Sequence, residues 1–292
     1  MEQLTKLLHN RKLLIGLAAG LGGVLVLMVL ILLLIVKTPA QPAPETTAAQ
    51  TTQAVETTQW TPPENIFGPY DFQFDGDYLT CLSAYSELGV DVCSYQGNID
   101  WEQVAAAGVK FAIIRVGGRG WGPAGTLYVD EYAQRNYEGA RAAGLKVGAY
   151  FFSQAITVRE AQEEAQLVLD TIRDWQLEMP VVFDWELIDP ATDPESRTAN
   201  VDTRTLTDCT LAFCREIEQA GYTPMVYTNL NQYERRLDPR ELMEYPLWVA
   251  MYSHRMTFPY RLDMWQYTAE GSVPGIEGPV DLNLYFPQEE LS

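Results

Sequence analysis

Two acidic residues separated by one position, Asp184 and Glu186, carry the clearest chemical signal in the sequence. They end the run VVFDWE (181–186), whose short apolar character is typical of a buried strand. Because successive side chains of a strand point to opposite faces, we expect both carboxyls on one face, with their Cα atoms about 6.6 Å apart. Two acids this close do not ionise equally, so one acquires a raised pKa. The pair suits glycosidic hydrolysis, in which one carboxyl protonates the leaving oxygen and the other stabilises positive charge at the anomeric carbon.

Polar and aromatic side chains recur at the other strand positions. Asp91 lies within the first predicted strand, where a charge is out of place unless it faces a polar pocket, and Asp281 opens the last strand. The remaining candidates for substrate binding are Arg115, Tyr150, Tyr227, Trp248, Trp265 and Gln266. Aromatic rings in such a pocket would stack on the apolar faces of sugar rings. A single D-x-E pair is weak evidence, and the recurrence of four carboxylates at strand positions is what favours a catalytic site.

Short β-branched runs alternate with amphipathic helices from residue 89 onward. The predicted strands are 89–94, 111–116, 146–152, 181–186, 224–228, 247–252, 264–267 and 281–285, and the predicted helices are 100–107, 130–143, 158–175 and 205–220. This alternation predicts a parallel α/β barrel of the TIM type, with the active site at the carboxyl ends of the strands. The connections between the last three strands are too short for full helices, so we expect an irregular (β/α) barrel over residues 89–292. Gly108, Gly144 and Gly221 are expected to follow helix ends.

An uncharged run of 24 residues, Leu13–Val36, precedes this domain. As a helix it would be about 36 Å long, enough to cross a hydrocarbon core of roughly 30 Å. Because Lys6, Arg11 and Lys12 precede the run, the positive-inside rule places residues 1–12 in the cytoplasm and the rest of the chain outside. A cleaved signal peptide is the alternative, but its apolar core is only about 7–15 residues long. We therefore expect a single-pass transmembrane helix in the cell membrane and an extracytoplasmic domain.

Two segments separate the apolar run from the predicted barrel. Residues 37–65 are rich in Thr, Ala, Gln and Pro with almost no large apolar residue, which predicts a disordered tether. Residues 66–88 carry no recognisable motif and are expected to pack as an N-terminal extension. Beyond residue 37 the chain holds 16 basic and 38 acidic side chains, a formal charge of −22. Such a surface repels phosphate backbones, so we expect no nucleic-acid binding.

Six segments together resemble glycoside hydrolase family 25. They are GVDVCSYQGNIDW (89–101), AIIRVGGRGWG (112–122), GAYFFSQA (148–155), PVVFDWE (180–186), LWVAMY (247–252) and DMWQYT…GSVPGIEGPVDLN (263–283). They occur in the family's order from about residue 89 to the C-terminus. The resemblance implies a lysozyme of the N-acetylmuramidase type with an irregular α/β barrel. Such an enzyme cuts the β-1,4 bond between N-acetylmuramic acid and N-acetylglucosamine in peptidoglycan.

The resemblance also implies roles for the four acids. Carried over residue by residue, Glu186 corresponds to the general acid and Asp184 to its partner carboxylate. Asp91 and Asp281 correspond to the flanking aspartates of the groove. A Cα spacing does not choose between retaining hydrolysis, inverting hydrolysis and assistance by the substrate's 2-acetamido group, so these three mechanisms remain open.

The four cysteines bear on how the domain is held together. Cys93 departs from the family pattern, which usually has Ser there, and it is expected to point to the same side as Asp91. A disulfide between Cys93 and Cys81 is the one pairing of near neighbours that we consider. Cys209 and Cys214 lie five residues apart in a predicted helix, where they point to different sides and cannot be bridged.

Three other classes of protein were weighed against this hypothesis. A catalytically silent glycan-binding module tethered at the cell wall would keep an aromatic groove but need not keep both acids. A chitinase is disfavoured because no D-x-x-D-x-D-x-E run surrounds Glu186. A zinc-dependent amidase needs histidine ligands, and the sequence holds only His9 and His254. We therefore expect neither a metal nor a cofactor.

Overall fold

The structure is a computed structural model that describes residues 60–287. Within these residues the strands are β1 (Phe72–Asp75), β2 (Tyr78–Cys81), β3 (Glu87–Val92), β4 (Phe111–Arg119), β5 (Leu127–Val129), β6 (Lys146–Ser153), β7 (Val181–Trp185), β8 (Pro224–Thr228), β9 (Leu247–Ala250), β10 (Met264–Gly271) and β11 (Val280–Tyr285). The α-helices are α1 (Trp101–Ala106), α2 (Ala133–Ala142), α3 (Val158–Thr171), α4 (Thr203–Gln219), α5 (Leu230–Arg235) and α6 (Pro239–Leu242).

Eight strands close into a barrel in the order β3, β4, β6, β7, β8, β9, β10 and β11, and β11 pairs with β3. These are the eight strands predicted from the sequence. The pairings from β3 through β10 are parallel, and the short strand β5 adds to the outer edge of β4 in the antiparallel sense. The predicted α/β barrel is therefore confirmed.

The direction of β11 differs from the prediction of an all-parallel barrel. This strand is antiparallel to both of its neighbours, β10 and β3. Residues 272–279 are all that join β10 to β11. A parallel return needs a crossover of about a dozen residues or more, so a connection this short forces the chain to turn straight back.

The longer helices form where capping residues and an apolar stripe coincide. Asp202 accepts a hydrogen bond from Thr205 N at the start of α4, and Thr157 accepts one from Glu160 N at the start of α3. The predicted helix-ending glycines are confirmed, since Gly108, Gly144 and Gly221 adopt φ angles of 99°, 81° and 89°. Helices α3 and α4 pack against each other and cover the outside of the barrel.

The barrel interior is divided into an apolar floor and a polar upper layer. The floor is made by buried inward-facing side chains that include Phe111, Ile113, Val182, Met225 and Met264. Outward-facing side chains of the same strands join a second and larger cluster under the helices. Because the floor is packed with side chains, the barrel is not a pore, and polar residues above it face a closed base.

The N-terminal extension predicted at 66–88 packs along the outside of β10 as the hairpin β1–β2. At the base, Phe67 lies 4.4 Å from Phe286 between ring centroids, and Phe72 meets Trp265 edge-on at 4.9 Å. At the other end of the hairpin, the Tyr78 hydroxyl lies 3.5 Å from the carbonyl oxygen of Ser272. The hairpin therefore runs from the base of the barrel to its mouth.

Of the tether predicted for residues 37–65, only residues 60–65 are described by the structure. Arg261 N donates to Pro63 O at 2.8 Å, and Asn65 N donates to Pro259 O at 3.0 Å. Residues 63–65 are thus hydrogen-bonded to the barrel because their backbone groups pair with an extended segment before β10. Within residues 60–287 no helix is long and apolar enough to cross a membrane. The span predicted at 13–36 lies outside the described residues.

All four cysteines are free thiols in the structure. Cys209 and Cys214 are buried in α4 and do not pair, as predicted. The considered pairing of Cys81 with Cys93 is not present, because Cys81 lies on the outer hairpin whereas Cys93 faces the mouth of the barrel.

Candidate active site

Most of the predicted site residues meet in one cavity of about 250 Å³ at the carboxyl ends of the parallel strands. The cavity is lined by Asp91, Arg115, Tyr150, Asp184, Glu186, Tyr227, Trp248, Gln266 and Asp281 among others. Strand alternation explains the convergence, because these residues occupy inward-facing positions of the strands or, as Glu186 does, directly follow a strand end. Asp184 and Glu186 share the cavity, whereas Trp185 between them points outward and donates its Nε1 hydrogen to Ala155 O at 2.9 Å.

Trp265 is the exception, and its predicted role in substrate binding is wrong. It follows Met264 and precedes Gln266, which both face the interior, so Trp265 must face outward. Its ring is fully buried beneath the hairpin against Phe72, and its Nε1 donates to Met251 O at 2.8 Å. Trp265 is therefore a packing residue of the outer core.

A chain of hydrogen bonds fixes the Asp91 carboxylate. Asp91 Oδ2 accepts from Gln266 Nε2 at 2.9 Å and from Asn283 Nδ2 at 2.8 Å. Trp248 Nε1 donates to Asn283 Oδ1 at 2.8 Å, and the Tyr227 hydroxyl donates to Gln266 Oε1 at 2.8 Å. Because each amide oxygen accepts from a ring donor, each amide nitrogen is turned toward Asp91. The network leaves Asp91 Oδ1 as the oxygen available to a ligand.

The electrostatics of the four acids follow from their burial and closeness. Burial raises the pKa of Asp91 well above its ordinary value, and the neighbouring charge of Asp281 raises it further. Burial likewise raises the pKa of Asp184 well above its ordinary value, followed by the charges of Glu186 and Asp91. The pKa of Asp281 is raised to about 6, chiefly by burial. The cluster therefore retains protons at pH values where isolated carboxyls would be ionised.

Glu186 differs from the other three acids because its side chain is exposed at the pocket mouth. The surrounding walls still remove enough water to raise its pKa, with the charge of Asp281 adding to the effect and a hydrogen bond with Asp184 opposing it. Glu186 lines the cavity of about 250 Å³ and also a neighbouring cavity of about 460 Å³. Glu186 therefore lies at the boundary between the two cavities, next to any ligand that extends through both. Asp184 Oδ1 is buried and, within residues 60–287, has no hydrogen-bond partner.

Two buried glutamines hold the backbone that carries Glu186. Gln154 Nε2 donates to Glu186 O at 2.8 Å, and Gln232 Nε2 donates to Trp185 O at 3.0 Å. Gln154 follows Ser153, whose hydroxyl donates to the buried Glu164 at 2.6 Å. The strand end is thereby anchored on both sides, which limits how far the Glu186 side chain can shift.

The carboxylate of Glu164 also forms an ion pair with the guanidinium of Arg119. Arg119 Nε donates to Glu164 Oε1 at 2.7 Å, in an ion pair buried between β4 and α3. Burial raises the pKa of Glu164 to about 7, although the hydrogen bonds from Ser153 and Arg119 oppose the rise. This pair fixes the loop that presents Gln154.

Arg115 belongs to the wall of the cavity, and its hydrogen bonds go to residues other than Asp184 and Glu186. Its Nε donates to Asp130 Oδ2 at 2.8 Å, and its NH2 group donates to Ser94 Oγ at 3.1 Å. The guanidinium also lies 5.5 Å from the ring centroid of Tyr95. Its charge lowers the pKa of Asp184 and so partly offsets the effect of burial.

Several residues of the site were missed at the level of sequence. Asn283 stands two positions after Asp281 on one strand, so the period of two could have placed it on the same face. Tyr252 ended a predicted strand, and its hydroxyl donates to Gln266 Oε1 at 3.2 Å. Gln154 follows the end of β6 and Gln232 lies in the short helix α5, so the period of two that holds within a strand does not predict where either side chain points. Among the described residues, no group of three or more His, Cys, Asp or Glu side chains has the geometry of a metal site.

Comparison with known proteins shows a match to one enzyme family and to several relatives. A family model described as Glycosyl hydrolases family 25 matches residues 90–276. The protein named Uncharacterized protein YegX of Escherichia coli strain K12 is 30% identical over 214 residues, which cover 70% of this chain and 71% of that protein. The Autolytic lysozyme of Clostridium acetobutylicum is 28% identical over 196 residues, covering 67% of this chain and 54% of the relative.

The fold is also similar to a solved structure. The modular autolysin LytC from Streptococcus pneumoniae, in complex with a synthetic peptidoglycan ligand, aligns with a TM-score of 0.60 at 25% identity. The alignment covers 69% of this chain and 47% of that protein. The present chain thus spans about half the length of LytC.

Proposed function

The chain belongs to glycosyl hydrolase family 25, and from this premise we propose that it is a muramidase that hydrolyses peptidoglycan. The proposed bond is the β-1,4 linkage between N-acetylmuramic acid and N-acetylglucosamine. The observation that carries the proposal is the place of Glu186, which lines two adjoining cavities while Asp184 stands beside it. A glycan strand lying across both cavities would bring a glycosidic oxygen to the Glu186 carboxyl.

Glu186 is proposed as the general acid. Its pKa is raised by the pocket walls and by Asp281, which keeps a proton available for the leaving oxygen. Its exposure at the pocket mouth gives a substrate access to that proton, and Gln154 restrains its backbone.

Asp184 is proposed to stabilise the positive charge that develops at the anomeric carbon when the glycosidic bond breaks. Its buried Oδ1 has no hydrogen-bond partner among the residues that the structure describes, so the substrate can supply the missing contact. A 2-acetamido N–H group of the sugar has the chemistry to donate to this oxygen. Such a contact supports assistance by the acetamido group, while attack by water or by a carboxylate stays open.

Asp91 and Asp281 are proposed to orient the substrate. Asp91 is locked by Gln266 and Asn283, which suits a fixed acceptor for a sugar hydroxyl. Asp281 lines the same cavity from the neighbouring strand β11. The rings of Tyr150, Tyr227 and Trp248 form apolar walls of the cavity.

Peptidoglycan as the substrate is supported by the names of relatives. The relative from Clostridium acetobutylicum is named as an autolytic lysozyme, and LytC was solved with a synthetic peptidoglycan ligand. We further propose that residues 13–36 anchor the protein in the cell membrane with the barrel outside. The apolar run and its positive flank support this localisation.

The proposed reaction is tested by analysing the cut ends of the glycan. Purified peptidoglycan is incubated with the full-length chain in mild detergent, the fragments are reduced with borohydride, and their reduced termini are identified by mass spectrometry. A muramidase produces reduced muramic acid at the new ends. Reduced glucosamine would assign a different bond, and binding of the wall without new ends would assign a glycan-binding module.

A further inference from the structure

A separate groove adjoins the catalytic cavity on the hairpin side of the barrel. It has a volume of about 900 Å³, within the roughly 300–1,000 Å³ of small-ligand sites. One wall is the tip of the hairpin β1–β2, and the other is formed by the ends of β9 and β10 with the loops that follow them. Its principal lining residues are Phe74, Asp77, Tyr78, Tyr252, His254 and Glu270. The hairpin wall precedes residue 90, where the match to the family begins.

The hairpin is built to hold its tip at this position. Strands β1 and β2 are joined by a two-residue turn in which Gly76 has a φ angle of 61°, a conformation that suits glycine. Leu79 is buried, and its backbone N–H contacts the Tyr267 hydroxyl at 3.4 Å. The tip is therefore fixed against the barrel by both packing and hydrogen bonding.

Tyr252 connects the groove to the catalytic site. Its side chain lines this groove and both cavities that adjoin Glu186. It is 62% exposed, so its ring is available to a ligand, while its hydroxyl is held by Gln266. A polymer bound across Glu186 can therefore continue past Tyr252 into the groove.

The chemistry of the groove suits a neutral sugar. Phe74 is 55% exposed, and together with Tyr252 it offers apolar faces on which a pyranose ring can stack. Asp77 and Glu270 are both exposed carboxylates that can accept hydrogen bonds from hydroxyls. Two carboxylates without an arginine or lysine in the lining disfavour an anionic sugar such as stem-free N-acetylmuramic acid and favour the neutral N-acetylglucosamine units of the strand.

We propose that the hairpin tip and the loops after β9 and β10 form an additional saccharide-binding subsite, which takes a further sugar unit of the glycan strand. This inference rests on the proposed function, because the strand that fills the groove is the strand cut at Glu186. The subsite would favour long glycan strands over short ones, since added sugar units extend a strand bound at Glu186 past Tyr252 into the groove.

The test compares two stem-free glycan oligosaccharides, a tetrasaccharide and an octasaccharide, as substrates of the full-length protein. The measured quantity is the ratio of kcat/KM for the octasaccharide to kcat/KM for the tetrasaccharide. In Phe74→Ala this ratio should fall about tenfold, the factor expected when roughly 50 Å² of apolar contact is lost. Tyr70→Ala removes another exposed aromatic ring of the N-terminal segment that does not line the groove. This control should keep the wild-type ratio.

A binding measurement separates failure of the subsite from failure of the proposed function. The affinity of the octasaccharide is measured by calorimetry for Glu186→Gln with and without Phe74→Ala, and the second change should weaken binding about tenfold. If the wild type cuts neither oligosaccharide, the proposed function fails and this binding comparison alone decides the subsite. An unchanged ratio together with equal affinities overturns the subsite. An effect that appears only on strands carrying stem peptides also overturns it, because the occupant would then be peptide.

Discussion

Asp91 on β3 and Asp281 on β11 are direct register partners across an antiparallel strand pair, and both line the cavity of about 250 Å³ beside Glu186. Like charges directly opposite each other destabilise a sheet, so this pair is costly whenever both carboxyls are ionised. The cost is consistent with the raised pKa of Asp91, to which the charge of Asp281 contributes after burial. Two acids whose closeness lowers the stability of the fold are expected where side chains are arranged to bind a ligand.

The first prediction concerns stability against pH. An acid whose pKa is higher in the folded than in the unfolded state binds its proton more tightly when folded, so stability falls as pH rises through that window. For Asp281 the window runs from 3.8 to about 6. Asp281→Asn should therefore match the wild-type Tm near pH 4, exceed it increasingly up to about pH 6, and keep that margin at higher pH. Thermal unfolding monitored by circular dichroism between pH 4 and 8 measures the difference.

The control for this experiment is Glu277→Gln, which changes an exposed carboxylate in the loop between β10 and β11. Its Tm difference from the wild type should stay constant across the same pH range. If Asp281→Asn is less stable than the wild type at pH 7, the carboxylate stabilises the fold and the argument from its raised pKa fails.

The second prediction concerns the general acid. Glu186→Gln keeps the shape of the side chain but cannot donate a proton to the leaving oxygen. General acid catalysis contributes about 10²–10⁴-fold, so kcat on peptidoglycan should fall by at least about 100-fold with an unchanged unfolding curve. Asp184→Asn should be comparably inactive. Glu195→Gln, which changes an exposed loop carboxylate, serves as the control. A folded Glu186→Gln variant with near-normal kcat would refute the assignment.

The third prediction concerns positioning by Gln154. Gln154→Met keeps the length of the side chain but removes the N–H group that restrains Glu186 O. Small displacements of a catalytic group are costly, so kcat should fall about tenfold or more while KM stays within about twofold. Gln162→Met makes the same change at an exposed position of α3 and should alter neither constant. A loss confined to KM would mean that Gln154 acts on substrate binding instead.

The fourth prediction is that Trp265 contributes to stability and not to substrate binding. Trp265 packs beneath the hairpin, so Trp265→Ala should lower the free energy of unfolding by about 3–5 kcal/mol in urea denaturation. The protein that stays folded should keep the KM of the wild type. Trp248→Phe is the matched comparison, because it changes a ring that lines the catalytic cavity and should raise KM. A raised KM in Trp265→Ala at full folding would return this residue to the substrate site.

The fifth prediction concerns localisation. Protease added to cells from which the wall has been removed should digest the barrel and leave an epitope at the N-terminus protected. The positive residues before the apolar run account for this orientation. Release into the medium of a mature protein cleaved near residue 40 would instead identify residues 13–36 as part of a signal peptide.

The strand alternation of the barrel was the part of the fold most readable from the sequence. Inward and outward positions differ in the chemistry they require, so Asp184 and Glu186 could be assigned to one face from their spacing alone. The direction of β11 was not readable in the same way, because the strand pattern is the same in either direction. The length of the preceding loop held that information instead.

Trp265 and Gln266 show why the prediction of the site failed at one position. Adjacent strand residues cannot both face the interior, so alternation excluded one of the two. Hydrophobicity could not identify the inward-facing residue, because both faces of β10 are buried. The hairpin β1–β2 covers the outer face, and the barrel interior encloses the inner face. The role of that hairpin in turn could not be predicted, since residues 66–88 follow no recognisable motif.

The pairing of residues 63–65 with residues 259–261 has a mechanical consequence. A pulling force on the chain before Trp60 is borne first by these few hydrogen bonds near the base of the barrel. Such a force would first break the hydrogen bonds between residues 63–65 and 259–261. It would then separate the rings of Phe67 and Phe72 from the barrel before it acted on the hairpin tip. The groove at the mouth therefore carries none of this load until both sets of contacts are broken.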